Sequence, residues 1–330
     1  MMTRRDMAMA AGAASVIGLA GRVAAQGAAP IALASGDPWP PRETIPLWPN
    51  GLPGGDSNRP AFNPSINGAP DDRQLWLRGV SDPAIHIYRP ETPNGVGVLS
   101  IPGGGYDFVS FENEGANIAH ALTPHGYTVF VLSYRLPGEG WADGPDVVLQ
   151  DAQRAMRLIR SGADGFGARP DRLAALGFSA GGHLAGMLAV AHERSVYEPM
   201  DAADTVPARP DALGLAYPLV GFDRKFTSSG SSGKLLGADP TPEQLAAWSP
   251  VGLIDEAVPP SFLVHSLDDG LVGSQNPIAW AEAVRDAGQK VELHLFDSGG
   301  HGYGPATRPG HPAASWPDLF DAWLTRRFEV

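Results

Sequence analysis

Residues 172–191 read RLAALGFSAGGHLAGMLAVA, and this stretch decides the fold class. Its opening residues, Arg172–Gly177, form a short apolar run of the length that buried strands have. The residues that follow the turn, Gly181–Glu193, are rich in alanine and leucine and predict a helix. The glycines that flank Phe178 and Ala180 permit a tight bend between the two elements. The stretch therefore predicts a strand, a sharp turn and a helix, with Ser179 at the turn.

The same alternation extends through most of the chain. After Pro83, short apolar runs are separated by helical stretches, which is typical of parallel strands joined by crossover helices. The predicted strands are Ile85–Tyr88, Val96–Ile101, Thr128–Tyr134, Arg172–Gly177, Ala212–Ala216, Ser261–His265 and Val291–Phe296. The other predicted helices are Asn113–Thr123, Asp146–Arg160 with Asp146 as N-cap, Asn276–Ala287 and Ser315–Arg327. The fold class is therefore α/β: one domain with an open, doubly wound, mostly parallel sheet.

Two segments depart from this alternation. The first, from Ala28 to about Asp72, is dense in proline, glycine and asparagine, and Trp39 and Trp48 are embedded in it. It predicts an irregular arm that wraps the core and is held there by the two tryptophans. The second, Gly221–Pro250, contains a serine- and glycine-rich run and then a short helix near Pro242–Trp248. We interpret it as a small cap inserted between two strands.

Composition limits the function further. Of the 330 residues, 43% are hydrophobic and 18% are charged, which is enough apolar surface for a packed core. The formal net charge of -12 disfavours a nucleic-acid partner, because binding the phosphate backbone relies on clustered lysine and arginine. The chain has no cysteine, which excludes disulfides, thiolate metal sites, cysteine nucleophiles and a lipidated cysteine anchor.

Residues 1–25 have the pattern of an export signal. The pair Arg4-Arg5 precedes the apolar stretch Met7–Ala20, and small residues follow at Val23-Ala24-Ala25, where a signal peptidase would cut. We expect a bacterial twin-arginine signal, a mature chain that begins near Gln26, and a periplasmic or extracellular location. The apolar stretch is too short and too weakly hydrophobic to span a bilayer, so no stable membrane anchor is expected.

Ser179 lies in Gly177-Phe178-Ser179-Ala180-Gly181, which matches the G-x-S-x-G pattern of a serine nucleophile. The pentapeptide alone is only a moderate signal, because chance matches in loops are common. Its position between strand and helix strengthens it, because free N–H groups at the helix start face any negative charge that develops there.

A glycine-rich turn, Pro102-Gly103-Gly104-Gly105-Tyr106, ends the strand Val96–Ile101. Such a turn supplies backbone donors to an oxyanion, and we expect the N–H groups of Gly104, Gly105 and Ala180 to act there. A phosphate-binding loop is the competing interpretation. It fails because the residues around Gly233-Lys234 do not complete the pattern G-x-x-x-x-G-K-[ST].

A serine hydroxyl needs an imidazole to accept its proton and an acid to orient that imidazole. His301, in the flexible turn Asp297–Gly304, is the predicted base, and Asp268 or Asp269, after the strand Ser261–His265, is the predicted acid. The remaining candidates are assigned to structural positions: His183, His265, His294 and His311. His192-Glu193 does not continue as H-E-x-x-H, so neither a metal site nor a cofactor is predicted.

Several motifs together resemble the bacterial acetylxylan-esterase-like branch of the α/β-hydrolases. They are Pro46-Leu47-Trp48-Pro49, Pro102-Gly103-Gly104-Gly105-Tyr106, Glu114-Gly115, Tyr134-Arg135-Leu136-Pro137, Gly177-Phe178-Ser179-Ala180-Gly181-Gly182-His183 and Gly300-His301-Gly302. Pro102 stands where hormone-sensitive-lipase relatives have the histidine of HGGG. In relatives of this fold an aspartate followed by valine three residues later recurs after the strand, which favours Asp269, with Val272, over Asp268. The resemblance implies removal of acetyl groups from plant polysaccharides such as xylan, with an acetylated polysaccharide or oligosaccharide as partner.

The predicted mechanism is attack by Ser179, proton transfer through His301, and orientation of the imidazole by Asp269. Three aromatic residues, Tyr106, Trp141 and Trp248, are candidates for contact with a sugar. A general esterase for small acyl groups is the alternative function. A peptidase of the same fold and an inactive, carbohydrate-binding hydrolase fold are further alternatives, and the sequence leaves the oligomeric state open.

Overall fold

The computed structural model describes residues 31–33, 36, 38–41, 43–55, 59–68, 73–223, 226 and 230–330. The predicted export signal, residues 1–25, lies outside the described residues, and so does part of the serine- and glycine-rich run of the cap. The described residues form these strands: β1 Ile31–Ala32, β2 Pro38–Trp39, β3 Thr44–Pro46, β4 Asn63–Asn67, β5 Gln74–Arg78, β6 Ala84–Tyr88, β7 Gly95–Ile101, β8 Thr128–Ser133, β9 Ala168–Phe178, β10 Ala212–Ala216, β11 Ser261–Ser266 and β12 Val291–Phe296.

An eight-stranded sheet forms the centre of the molecule, in the order β12-β11-β10-β9-β7-β8-β6-β3. The six strands from β12 to β8 are all parallel, whereas β6 is antiparallel to β8 and β3 is antiparallel to β6. β8, β10 and β11 are buried along their whole length, as expected of central strands with both faces covered. The seven predicted strands are confirmed, and so is the doubly wound, mostly parallel sheet.

The helices cover both faces of this sheet. They are α1 Asn117–Leu122, α2 Asp146–Ser161, α3 Ser179–Val190, α4 Ser231–Leu236, α5 Pro242–Ala247, α6 Gln275–Asp286 and α7 Trp316–Phe328. A π-helical turn, Glu112–Ala116, leads directly into α1. The predicted N-cap at Asp146 is wrong. A turn closed by the Asp146 N–H and the Asp143 carbonyl puts Pro145 in helical conformation, so Pro145 is the cap and Asp146 the first helical residue.

The segment before β6 is an arm, and its two tryptophans are buried as predicted. The Trp48 Nε1–H donates to Asp151 Oδ1 at 2.7 Å, inside a buried ion pair of Asp151 with Arg135. Trp39 packs edge-on against Phe111, with ring centroids 4.3 Å apart. The sequence did not predict that β3 would extend the main sheet or that β4 and β5 would form a hairpin. β3 has only three residues, too few to show an alternating pattern.

The segment between β10 and β11 carries two short helices, α4 and α5. The sequence predicted only the second, which begins with a capping box formed by Thr241 and Gln244. Lys234 of α4 reaches out of the insertion: its Nζ lies 2.6 Å from Asp107 Oδ1, just after the glycine-rich turn. The insertion is therefore attached beside that turn. Within the described part of the chain, no helix combines the length and hydropathy needed to cross a membrane.

Candidate active site

Ser179 lies at a sharp bend between a strand and a helix. β9 ends at Phe178 and α3 begins at Ser179, whose φ of 53° is in the left-handed region. A residue other than glycine adopts this conformation only where the surrounding structure holds it there. The surrounding structure therefore holds the Ser179 backbone in a strained conformation, which is typical of functional residues.

This bend requires glycine at two positions, because a side chain at either one would overlap neighbouring backbone atoms. A β-carbon at Gly177 would overlap the carbonyl oxygen of Gly181, and one at Gly181 would overlap the carbonyl oxygen of Ile101. The close contact with Ile101 also brings the end of β7 against the start of α3. The spacing of the pentapeptide is thus explained by packing.

The serine, the histidine and one aspartate form a continuous hydrogen-bonded chain. His301 Nε2 lies 2.8 Å from Ser179 Oγ, and His301 Nδ1 lies 2.6 Å from Asp269 Oδ2. A carboxylate only accepts hydrogen bonds, so the Nδ1 atom carries the proton and Nε2 is free to accept the serine hydroxyl. The structure thus brings together the three residues that the sequence singled out.

The two neighbouring aspartates make different contacts. Asp269 Oδ1 accepts hydrogen bonds from the N–H groups of Leu271 and Val272, both at 2.9 Å, which leaves Oδ2 for His301. Asp268 Oδ1 instead accepts the Gly300 N–H at 2.8 Å, and this bond lowers the pKa of the Asp268 carboxyl. Asp269 is therefore the carboxylate that contacts the imidazole.

The glycine-rich turn packs against the bend that carries Ser179. A β-carbon at Gly103 would come within 2.9 Å of the Ser179 β-carbon. The turn continues through Gly104 and Gly105, with φ values of 121° and 64°, and its fold is fixed by hydrogen bonds to the Gly103 and Gly104 carbonyls. Ala180 lies in the first turn of α3, where backbone N–H groups lack intrahelical acceptors. The predicted donors thus lie on two segments that meet beside Ser179.

The three aromatic candidates for sugar contact are packed inside the protein. Tyr106 is 1% exposed, and its hydroxyl lies 2.7 Å from His183 Nδ1. Trp141 is stacked under Arg135 and Trp248 under Arg194, and both indoles are buried. We correct these three assignments, because side chains committed to core packing do not offer a face to a sugar.

The other histidines make structural contacts. His183 Nε2 donates to the Trp248 carbonyl at 2.6 Å, and His265 Nε2 donates to the Val272 carbonyl at 2.9 Å. Burial lowers the pKa of both imidazoles. His294 bonds Glu292, and His311 lies against Gly299. The residues that the structure describes contain no group of three or more acidic, cysteine or histidine side chains arranged to hold a metal ion.

Two buried residues next to the site were not predicted to function there. Glu114 accepts the Gly103 N–H and the Tyr217 hydroxyl, and the Tyr217 ring packs edge-on against His301. The sequence signals were the motif Glu114-Gly115 and a tyrosine directly after the predicted strand Ala212–Ala216. Neither signal identifies a role without the three-dimensional contacts.

Comparison with known proteins identifies a family and several relatives of this chain. The model of the BD-FAE family matches residues 85–283, a range that contains Ser179 and Asp269 and ends before His301. An acetylxylan esterase from Xylanibacter ruminicola is 30% identical over 224 residues, which are 67% of this chain and 43% of that protein. Endo-1,4-beta-xylanase B from Butyrivibrio fibrisolvens is 33% identical over 205 residues, 62% of this chain and 32% of that protein. The chain thus spans less than half the length of either relative.

A solved structure has the same fold as this chain. The acetyl ester-xyloside bifunctional hydrolase from Caldicellulosiruptor lactoaceticus superimposes with a TM-score of 0.69 at 29% identity, covering 87% of this chain and 97% of that one. By fold and by its relatives, the matched region is a carboxylic ester hydrolase with the α/β-hydrolase fold. The chain belongs to the BD-FAE family.

Proposed function

We propose that this protein is a serine esterase that removes O-acetyl groups from a plant polysaccharide of the xylan type. The observation that carries the proposal is the hydrogen-bonded chain from Ser179 through His301 to Asp269, at 2.8 and 2.6 Å. This arrangement is the one that activates a serine hydroxyl for attack on an acyl carbon. The backbone donors beside it suit the negative charge of a tetrahedral intermediate.

The first half-reaction transfers the acyl group to the enzyme. Ser179 Oγ attacks the ester carbonyl carbon while His301 Nε2 takes the hydroxyl proton, and Asp269 stabilises the imidazolium that forms. The N–H groups of Gly104, Gly105 and Ala180 hold the oxyanion. The C–O bond to the sugar then breaks, and His301 returns the proton to the departing sugar hydroxyl.

The second half-reaction regenerates the enzyme. Water attacks the carbonyl carbon of the acetyl-serine ester, and its proton passes to His301 Nε2. The second tetrahedral intermediate collapses, the bond to Ser179 Oγ breaks, and the serine regains its proton from His301. The products are acetate and a free hydroxyl on the polysaccharide.

The substrate part of the proposal is supported by the names of the relatives. One is named an acetylxylan esterase, another a xylanase, and the superimposed structure is that of an acetyl ester-xyloside hydrolase. All three names concern xylan or xylosides, and two of them concern acetyl esters. Together the names support an acetyl group on a xylan chain as the substrate.

The test is acetate release from acetylated xylan by wild type, by Ser179→Ala and by Ser161→Ala. Ser161 is the matched control, because its hydroxyl only caps the end of α2 through the Leu158 carbonyl. We expect Ser179→Ala to lose at least about 1,000-fold in kcat and Ser161→Ala to retain activity. Equal release by wild type and Ser179→Ala would overturn the mechanism. Cleavage of p-nitrophenyl acetate and butyrate without any release from xylan would leave the mechanism and favour a small-acyl esterase.

A periplasmic or extracellular location is part of the same proposal, because acetylated xylan is too large to enter a bacterial cytoplasm. Its support is the pair Arg4-Arg5 before the apolar stretch Met7–Ala20. Replacing both arginines by lysine is expected to retain the protein in the cytoplasm, measured by cell fractionation of the native host. Unchanged export would refute the twin-arginine route.

A further inference from the structure

Glu114 is a buried acidic residue that the mechanism above does not use. It lies in the π-helical turn Glu112–Ala116, and 3% of it is exposed. Its two carboxylate oxygens bind different parts of the site. Oε2 accepts the Gly103 N–H at 2.7 Å, and Oε1 accepts the Tyr217 hydroxyl at 2.9 Å. One side chain therefore holds the glycine-rich turn and the residue that follows β10.

Tyr217 extends this contact to the histidine. Its hydroxyl accepts the Gly304 N–H at 3.0 Å, three residues after His301, and its ring packs edge-on against the imidazole with centroids 5.0 Å apart. The φ of Tyr217 is 38°, so the backbone is held in an unfavourable conformation to present this side chain. Asn113, next to Glu114, donates to the Gly302 carbonyl at 2.8 Å. The residues that follow His301 are thus held at two points, Gly302 and Gly304, by Asn113 of this turn and by Tyr217, the partner of Glu114.

The hydrogen bonds of Glu114 act against the effect of its burial. Burial raises the pKa of the Glu114 carboxyl, while the bonds donated by the Gly103 N–H and the Tyr217 hydroxyl act in the opposite direction.

We propose that Glu114 is a positioning residue for the reaction, whose side chain fixes the oxyanion turn relative to the histidine loop through its two hydrogen bonds. The inference rests on the proposed function. It assigns Glu114 no contact with substrate. Its effect is to keep the donors of Gly104 and Gly105 and the Nε2 atom of His301 in one geometry around the acyl carbon, where small displacements are costly.

The test uses Glu114→Gln, which keeps the shape and removes the charge. The glutamine oxygen can accept from Gly103, but its amide must then donate to Tyr217, whose hydroxyl proton is left without its acceptor. We expect kcat on p-nitrophenyl acetate to fall by about 10- to 100-fold with little change in KM. Tyr217→Phe, which removes the hydroxyl that links Glu114 to Gly304, should also lower kcat with little change in KM.

Glu112→Gln is the matched control. Glu112 lies in the same turn, is 2% exposed, and accepts the Leu75 N–H of β5 at 2.8 Å, away from the histidine loop. We expect it to change thermal stability and to leave kcat near that of wild type. Wild-type kcat in Glu114→Gln would overturn the proposal. The proposal would also be overturned if both glutamine variants lost kcat equally and in proportion to the fall in their melting temperatures.

Ser179→Ala, assayed beside these variants, separates this inference from the proposed function. Loss of activity in Ser179→Ala together with an unaffected Glu114→Gln would refute the role of Glu114 alone. Activity retained in Ser179→Ala would refute the mechanism on which the inference rests.

Discussion

Asp268 accepts a hydrogen bond from the backbone N–H of Gly300, at 2.8 Å, in the residue directly before His301. Its neighbour Asp269 contacts the imidazole of His301 itself, at 2.6 Å. Two adjacent carboxylates therefore bind the same loop, one through its backbone and one through the histidine side chain. Chain position alone does not separate their roles, but these contacts do.

The two asparagine variants should differ strongly. Asp269→Asn presents an amide to His301 Nδ1, which favours the tautomer with its proton on Nε2, and kcat should fall by about 1,000- to 10,000-fold. Asp268→Asn keeps an oxygen that accepts the Gly300 N–H, so its kcat should stay within about 10-fold of wild type. Steady-state kinetics on p-nitrophenyl acetate measure both. Similar losses in the two variants would mean that the acid is not assigned correctly.

The bend at Ser179 should not tolerate a methyl group on its inner side. In Gly181→Ala the new β-carbon would meet the carbonyl of Ile101, which is backbone and cannot move aside as a side chain can. We expect this variant to lose most of its esterase activity, because α3 and the end of β7 must separate. Gly233→Ala in α4 is the control, since nothing lies within 4 Å of its β-carbon. An active Gly181→Ala enzyme would show that the bend is less tightly packed than the structure indicates.

The sequence predicted the inner strands of the central sheet well because several of them are buried along their whole length. β10 and β11 show this directly: their residues are buried without exception, so each is a short apolar run between helices. β3 was missed because its contacts come from β6, about forty residues along the chain, and three residues carry no periodic signal. α4 was missed because it begins inside the glycine- and serine-rich run, whose composition indicates a loop.

The site residues likewise fall into those that the sequence predicted and those that it did not. Ser179, His301 and the two aspartates follow strands or begin a helix, so motif and chain order bring them to one edge of the sheet. The aromatic candidates were wrong for a physical reason: whether a tryptophan faces solvent or core depends on residues distant in the chain. Trp141 lies beside Arg135 and Trp248 beside Arg194, and neither pairing can be deduced from spacing. Glu114 belongs to the motif Glu114-Gly115, but its hydrogen bond with Tyr217 joins residues that are 103 positions apart in the chain.

Tyr106→Phe should affect stability and not substrate binding. Removing the hydroxyl leaves the buried His183 Nδ1 without its donor, which costs about 1–3 kcal/mol in the free energy of unfolding. The ring stays in place, and KM for p-nitrophenyl acetate should not change. Urea unfolding and steady-state kinetics measure the two quantities. A raised KM at unchanged stability would instead return Tyr106 to the substrate site.

His183 should make the protein sensitive to mild acid. Burial lowers the pKa of its imidazole from 6.5 to about 4. As the pH falls below 6.5 the unfolded chain takes up a proton that the folded chain does not, so stability present at pH 7 is lost progressively towards pH 4. A difference of this size corresponds to about 3 kcal/mol. His86, whose pKa burial lowers to about 3, contributes in the same direction.

Urea unfolding at pH 7, 6 and 5 would measure this loss in wild type and in His183→Gln. Glutamine can donate to the Trp248 carbonyl and accept from Tyr106, and it has no proton to gain in this range. We expect the decline in unfolding free energy with falling pH to be clearly shallower in His183→Gln. His120→Gln, at an exposed position of α1, should decline as wild type does. The same decline in all three proteins would show that the buried imidazole at position 183 is not the group responsible.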